Sequence, residues 1–396
     1  MERIYKRKIL ILFFVSLLLR IIFILTLKNH FYFDDEYEYW KMVKNFLSGN
    51  GLIVGENLKS FRPPLYPLFL SLLYSLNFNL FFIRVIQCLI SSATVIFIYF
   101  LGKKVFNEKT GLISGIISTF YPFFIFYNGF LLTETLFVFL VVVSIYYYSI
   151  CLISEEGKSN EIKAGIFLGL SGLCRPTLEA FFPFAMIYLL FLKEIPIKKR
   201  LKKIVLISLF FIFTISPWVI RNYVIFKKLI PGTTMGGWVF WEGNNPKSDG
   251  GPCSYFPENI LQMEELARDK FLYRKTIEVI KQNPSRFAYL LKNKFVRFWN
   301  ITLNASDFQK PLYKILSIIS FGFLLPFFLI GFFITFKNKN APIMHLLIIF
   351  FTLFHMVFLA SIRYRVAIEP FYIIFAVYGF FFFYSKLKIL LRKGEF

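Results

Sequence analysis

Apolar runs about twenty residues long recur along this chain from its first turns to its last, and that recurrence limits what it can fold into. A hydrocarbon core roughly 30 Å thick takes about 20 residues of helix. The first run covers residues 9 to about 27, directly after Lys6, Arg7 and Lys8. Its layout is that of a signal peptide, but it is about nineteen residues long and has no small-x-small cleavage site. It reads as an uncleaved first transmembrane helix with its basic end inside. Further runs cover residues 80–101, 111–130, 132–153, 164–192, 204–220, 312–336, 341–362 and 366–384. The run from 164 is too long for one helix and contains Arg175-Pro176. A helix-stopping proline beside an arginine fits a membrane surface, so two short spans are expected there. The fold class is therefore an all-α polytopic membrane protein, a bundle of about ten transmembrane helices with external juxtamembrane helices.

Composition agrees. Hydrophobic residues make up 57% of the 396 and charged residues only 17%, against roughly 25% charged in a soluble protein. The mean hydropathy is +0.61. A soluble globular enzyme and a disordered chain are both excluded. The net charge of +23 does not imply a nucleic-acid partner, because no polar domain is present to carry a groove. Lys and Arg sit instead in short clusters between the apolar runs. Lys103, Lys104 and Lys109 follow the second span, and Lys193, Lys198, Lys199, Arg200, Lys202 and Lys203 follow the sixth. Lys337 and Lys339 follow the eighth, and Lys386, Lys388, Arg392 and Lys393 close the chain. With the N-terminus inside, all of these fall on the cytoplasmic side of a cell (inner or plasma) membrane, and so does the C-terminus. Cys88, Cys151, Cys174 and Cys253 show no metal-ligand spacing.

Two segments then remain outside, which divides the chain into 1–220, a transmembrane module with a first external loop at 28–79; 221–311, an external loop with amphipathic helices; and 312–396, the last transmembrane helices. Residues 65–76 are too short to span and suit an interfacial helix. After Asn283-Pro284, the residues Phe287, Leu290, Leu291, Phe295 and Phe298 recur at helical spacing, with Arg286, Lys294 and Arg297 on the other face, as in a helix lying on a membrane surface.

Acidic residues are scarce, so their positions are informative. Asp34, Asp35, Glu36 and Glu38 stand just beyond the outer end of the first helix. Crowded carboxylates near lipid could supply a general base; equally, they could cap and solvate the first turn of a helix at 37–47. Glu134, at the outer end of the fourth span, is either a site residue or a helix N-terminal acid beside Thr133. Arg62, Arg84, Arg175, Arg221, Arg363 and Arg365 approach the same outer plane. Arg makes bidentate contacts to phosphate, although any one of them could simply reach for headgroups. Arg20, roughly 10 Å inside the first span, is expected to pair with an acid in the bundle. His345 and His355, ten apart, do not share a helix face and are expected in the core. A metal site can be drawn from His30 with the nearby acids, but its spacing is undefined and no cofactor is called for. Trp238, Trp241 and Tyr255 could form platforms for a sugar or a lipid, or serve as interface belt residues. Asn300-Ile301-Thr302 and Asn304-Ala305-Ser306 are formal glycosylation acceptors.

Several segments carry a resemblance. "DEYEYWKMVKNFLSGNGL" from Asp35 and "FRPPLYPLFLSLLY" from Phe61 resemble the first external loop of bacterial GT-C glycosyltransferases. These are family-39-like relatives of protein O-mannosyltransferases, of the aminoarabinose transferase acting on lipid A, and of rhizobial galacturonosyltransferases. "YPFFIFYNGFLLTETLF", "GLSGLCRPT", "SPWVIRNY", "TTMGGWVFWEGNNP" and "RYRVAIEPF" continue the likeness in order. The resemblance implies an enzyme that moves a sugar from a polyprenyl-phosphate donor to a lipid, glycan or protein acceptor on the outer face, with inversion. It implies Asp35 as the base, with Asp34 and Glu36 beside it. Arg62, Arg175, Arg221 and Arg363 are then expected at the lipid phosphate, and Tyr39, Tyr66, Glu134, Trp238 and Trp241 around the substrates. A flippase for lipid-linked sugars shares the composition, but it would show paired repeats and charges near the bilayer midplane; no clear repeat is present.

Overall fold

A computed structural model describes residues 2–55, 58–153, 158–302 and 311–393. Among these there is no strand beyond a single bridge between Val54 and Leu58. Six helical stretches are long and apolar enough to cross a membrane: Arg7–Leu25, Leu80–Val105, Glu134–Ile153, Ile197–Phe226, Pro311–Ile334 and Ile362–Leu391. The protein is a multi-pass membrane protein. The helices run α1 (Glu2–Leu25), α2 (Asp34–Leu47), α3 (Leu65–Ser75), α4 (Leu80–Val105), α5 (Glu108–Phe120), α6 (Pro122–Tyr127), α7 (Glu134–Ile153), α8 (Lys158–Cys174) and α9 (Thr177–Phe191). They continue with α10 (Ile197–Phe226), α11 (Gly236–Glu242), α12 (Glu265–Gln282), α13 (Pro284–Trp299), α14 (Pro311–Ser317), α15 (Phe323–Ile334), α16 (Pro342–Val357), α17 (Ile362–Arg365) and α18 (Glu369–Lys393). The sequon at Asn304 lies outside the described residues.

The remaining expected spans are α5, α8, α9 and α16, all shorter than the six. Local chemistry explains their ends. Pro122 follows Tyr121, which is extended (ψ 116°), because a residue before proline avoids the helical region; the run at 111–130 is therefore cut into α5 and α6. The run at 164–192 breaks at Arg175-Pro176, as expected. α16 stops at Val357, and Ser361 starts the next helix by accepting from the Arg363 amide (3.3 Å). That restart aims Arg363 inward.

The core contains one large apolar cluster, including Val141, Leu168, Phe181, Ile207, Met344 and Phe371, formed where α7 packs on α8, α8 on α10, and α4 on α5 and α7, and smaller clusters beside it. Phe14, Leu18, Leu209 and Phe213 face outward and are exposed. Lipid is as apolar as this core, so close packing rather than water exclusion must hold the helices together. α15 and α18 show how: a Cβ on Gly331 would collide with the Phe375 carbonyl, and one on Gly379 with the Phe327 carbonyl.

Arg20 departs from expectation. It is fully buried, and its donors reach Ser91 Oγ (2.7 Å) and the carbonyls of Ser16 (3.1 Å), Thr119 (3.2 Å) and Ser118 (3.4 Å), with no acid among its described partners. Ser118 and Thr119 close α5, where unpaired carbonyls carry partial negative charge, so a helix end substitutes for the carboxylate. α13 also differs, since its basic face is not turned to solvent. Lys294 is buried and donates to Asn244 Oδ1 (2.7 Å) and the Val357 carbonyl (3.1 Å), Arg286 binds the carbonyls of Asn245 and Ser248 (2.9 Å each), and Arg297 pairs with Asp249 (3.0 Å). The carbonyl-rich loop beneath α13 takes the charges that a membrane surface was expected to take.

Candidate active site

α2 begins with three acids in its first turn, where exposed helix N–H groups favour negative charge. Successive residues turn by about 100°, so the three point to different places. Asp34 is exposed. Glu36 is fully buried and accepts from the backbone of Tyr32 (2.6 Å), Phe33 (3.0 Å) and Leu131 (2.8 Å), binding the first loop to the turn before α7. Asp35 takes the third direction. Its Oδ1 accepts from Arg62 Nη2 (2.7 Å) and its Oδ2 from Arg363 Nη1 (2.5 Å).

These contacts belong to a longer file. Arg62 also donates to Glu38 Oε2 through Nε (3.0 Å). Arg363 donates on its other edge to Glu134, which is 1% exposed and also accepts from Arg175 Nη2 (2.6 Å). Arg175 Nε in turn donates to Thr133 Oγ1 (2.8 Å). Carboxylate and guanidinium thus alternate from Glu38 through Arg62, Asp35, Arg363 and Glu134 to Arg175, three of each sign. Burial alone would raise the Asp35 pKa, but the Arg363 and Arg62 charges more than offset it and hold the carboxyl well below the usual carboxylate range. Burial pushes the Tyr39 hydroxyl up to about 12, and Arg62 lies 5.5 Å over its ring.

A cavity of about 700 Å³ opens beside this file. Asp35, Arg62, Arg175 and Arg363 line one end; Phe137, Ala180, Phe351 and Phe354 form an apolar wall reaching between α9 and α16. Asp269, Lys270 and Tyr273 of α12 form a third, polar wall. Asp269 accepts from the Gly237 amide (2.7 Å), and burial pushes its carboxyl up to about 6.

Other candidates are used in packing. Tyr66 is fully buried and donates to Gln87 Oε1 (2.8 Å). Trp238 stacks on Phe256 at 3.9 Å, and Trp241, 2% exposed, donates to the Tyr255 carbonyl (2.7 Å). Arg221 donates to the Lys59 carbonyl (2.6 Å). None of these four lines the cavity. Glu265 grips the same stretch by accepting from the amides of Lys59 (2.6 Å) and Ser60 (2.9 Å), so α12 fixes the backbone just ahead of Arg62. The His30 ring packs on Tyr32 (4.3 Å), and no cluster of three metal-ligating residues occurs among those described. Sequence reasoning passed over Asp269 and Tyr273, although Glu265, Asp269 and Tyr273 repeat every four residues along one helix face. His355 is buried as expected, at 6% exposed, but it also lines the cavity, which its sequence position did not indicate.

The profile of the dolichyl-phosphate-mannose-protein mannosyltransferase family matches residues 61–220. No curated protein sequence matches the chain. Among solved structures, the Archaeoglobus fulgidus oligosaccharyltransferase AglB, in complex with an inhibitory peptide and a dolichol-phosphate, superposes with a TM-score of 0.57 at 13% identity, covering 98% of this chain and 51% of that one. The apo form of the A. fulgidus oligosaccharyltransferase gives 0.60 at 14% identity, with the same 98% and 51% coverage. ArnT from Cupriavidus metallidurans, bound to undecaprenyl phosphate, gives 0.49 at 12% identity, covering 95% and 59%. The chain spans about half the length of the oligosaccharyltransferase chains it matches. Its helical membrane architecture is the fold of the A. fulgidus oligosaccharyltransferase.

Proposed function

We propose that this protein is an integral membrane glycosyltransferase that moves a sugar from a polyprenyl-phosphate donor to an acceptor hydroxyl, with inversion and with Asp35 as general base. One observation carries the reading: Asp35 lies between two arginines in a cavity that also has an apolar lining of Phe137, Ala180, Phe351 and Phe354. The apolar wall would take the first isoprene units, and Arg62, Arg175 and Arg363 would take the phosphate, which leaves as an anion and needs positive charge more than it needs a proton. The acceptor hydroxyl would enter along α12, in line with the anomeric carbon.

While both arginines hold Asp35, it is a weak base, because a base works best with a pKa near the working pH. A phosphate that draws Arg363 or Arg62 toward itself returns basicity to the carboxylate, so the donor would prime the base by binding. The site would lie on the extracytoplasmic side, with both termini in the cytoplasm and lining residues between Lys228 and Tyr273 forming the outer wall; lipid, glycan and protein acceptors all fit this scheme. The test is transfer by purified protein from polyprenyl-phosphate sugars to an acceptor panel. Asp35→Asn is expected to abolish transfer while membrane insertion is retained, and full turnover by that variant would exclude Asp35 as the base.

A further inference from the structure

His355 occupies an unusual position in the cavity wall. Its ring lies between Phe298 (5.5 Å, 18°) and Tyr364 (4.8 Å, 4°), so both faces are covered. Its Nδ1 is 3.0 Å from the Leu359 carbonyl. A carbonyl only accepts, so Nδ1 carries the proton; the ring is buried and no carboxylate is among its described partners, which favours the neutral imidazole, and Nε2 then presents a lone pair. Nε2 has no hydrogen-bond partner among the described residues, and the ring edge that bears it is the part left to meet the cavity. The result is a rigid, neutral hydrogen-bond acceptor of fixed tautomer. Tyr364, the ring stacked on it, lies 5.9 Å from the Arg175 guanidinium, so His355 stands one ring away from the charged end.

What could this acceptor meet? A lipid tail and a phosphodiester have no donors, and a phosphate oxygen would be repelled by the lone pair. An O–H group is needed. His355 shares α16 with Phe351 and Phe354 of the apolar wall, and Asp269, Lys270 and Tyr273 of α12 line the same cavity. The hydroxyl beside a lipid phosphate bound there is one on the transferred sugar. We propose that His355 selects the donor sugar, its Nε2 accepting a hydrogen bond from one ring hydroxyl. This rests on the reading of the chain as a glycosyltransferase.

The test uses His355→Asn, whose amide nitrogen can still donate to Leu359 while nothing replaces Nε2. With the preferred polyprenyl-phosphate hexose, kcat/KM should fall about 10- to 100-fold, the range for a buried group left unpaired. The monodeoxy donor lacking the contacted hydroxyl should lose the same factor with the unaltered protein, and the two losses should not multiply. Losses that multiply for every deoxy position would overturn the proposal. If the variant fails to fold, ¹⁵N-imidazole NMR of the unaltered protein serves instead. The Nδ1–H tautomer is expected, with an Nε2 resonance that moves on donor binding. An Nε2 signal that stays fixed, or that moves with the acceptor alone, overturns the assignment. Absence of transfer from every sugar would defeat the glycosyltransferase reading, whereas transfer with an unmoved Nε2 defeats only this inference.

Discussion

Glu134 offers the sharpest physical test, because two arginines depend on it and it is almost inaccessible. Its side chain is 1% exposed and accepts from Arg175 and Arg363, whose side chains are 14% and 29% exposed. Glu134→Gln keeps the shape but removes the charge and turns an amide donor toward a guanidinium donor. The two charge-assisted pairs, with Arg175 and with Arg363, contribute about 1.5–3 kcal/mol each, and one neutral bond of about 1 kcal/mol survives, so the expected loss is about 2–5 kcal/mol. Breaking a buried ion pair from one side costs a comparable amount, about 3–5 kcal/mol. Arg363 keeps Asp35 and Arg175 keeps Thr133, which favours the lower half of that range. Glu38→Gln is the internal control. Glu38 sits at the other end of the file with its side chain 40% exposed, where an ion pair contributes about 0–1 kcal/mol. Denaturant unfolding in detergent, followed by tryptophan fluorescence, measures both. Losses within about 1 kcal/mol of each other would refute the claim that burial of the file, rather than mere pairing, sets its strength.

Other expectations follow from the same structure. Burial, with the charge of Arg286 adding to it, pulls the Lys294 pKa down to about 7. The unfolded chain, with a lysine near 10.4, then binds more protons between pH 7 and 10, so this residue's penalty is full below pH 7 and fades as pH rises. Lys294→Met is therefore expected to flatten the rise of stability over that window by an amount on the order of 4 kcal/mol, checked by unfolding at pH 7 and pH 10; parallel curves for the two proteins would contradict it. Transfer activity is expected to survive chelation of divalent ions, because both Asp35 oxygens already accept from guanidiniums. Loss with chelator and recovery with a divalent metal would overturn that expectation.

The sequence carried the bundle well, for a physical reason: a span in lipid is written continuously along the chain. The break at Arg175-Pro176 and the short α3 could be expected from runs and prolines. Misplaced charges singled out Arg62, Arg175, Arg363, Asp35 and Glu134, although as a base and as ligands of a phosphate or substrate, not as each other's partners. What stayed hidden was direction. Asp35 and Glu36 are neighbours, yet one helical step separates a cavity wall from a buried cap. The charges of α13 look solvent-bound until the loop beneath them supplies carbonyls. Arg20 found a helix end in place of an acid, and backbone carbonyls leave no mark in a residue string. Trp241 and Tyr66 look equally suited to holding a ligand or filling a core, and here they fill cores.

Because the file from Glu38 to Arg175 sums to zero charge, its guanidiniums exert little net pull of their own on anions in the surrounding water. A newcomer bearing negative charge gains a guanidinium only by taking it from a carboxylate that already holds it. Free phosphate, with nothing else to offer, should find that exchange unrewarding, whereas a phosphate tethered to a long apolar chain brings separate adhesion along the phenylalanine wall. Such a lock answers to the combination of head and tail and stays shut to either one alone.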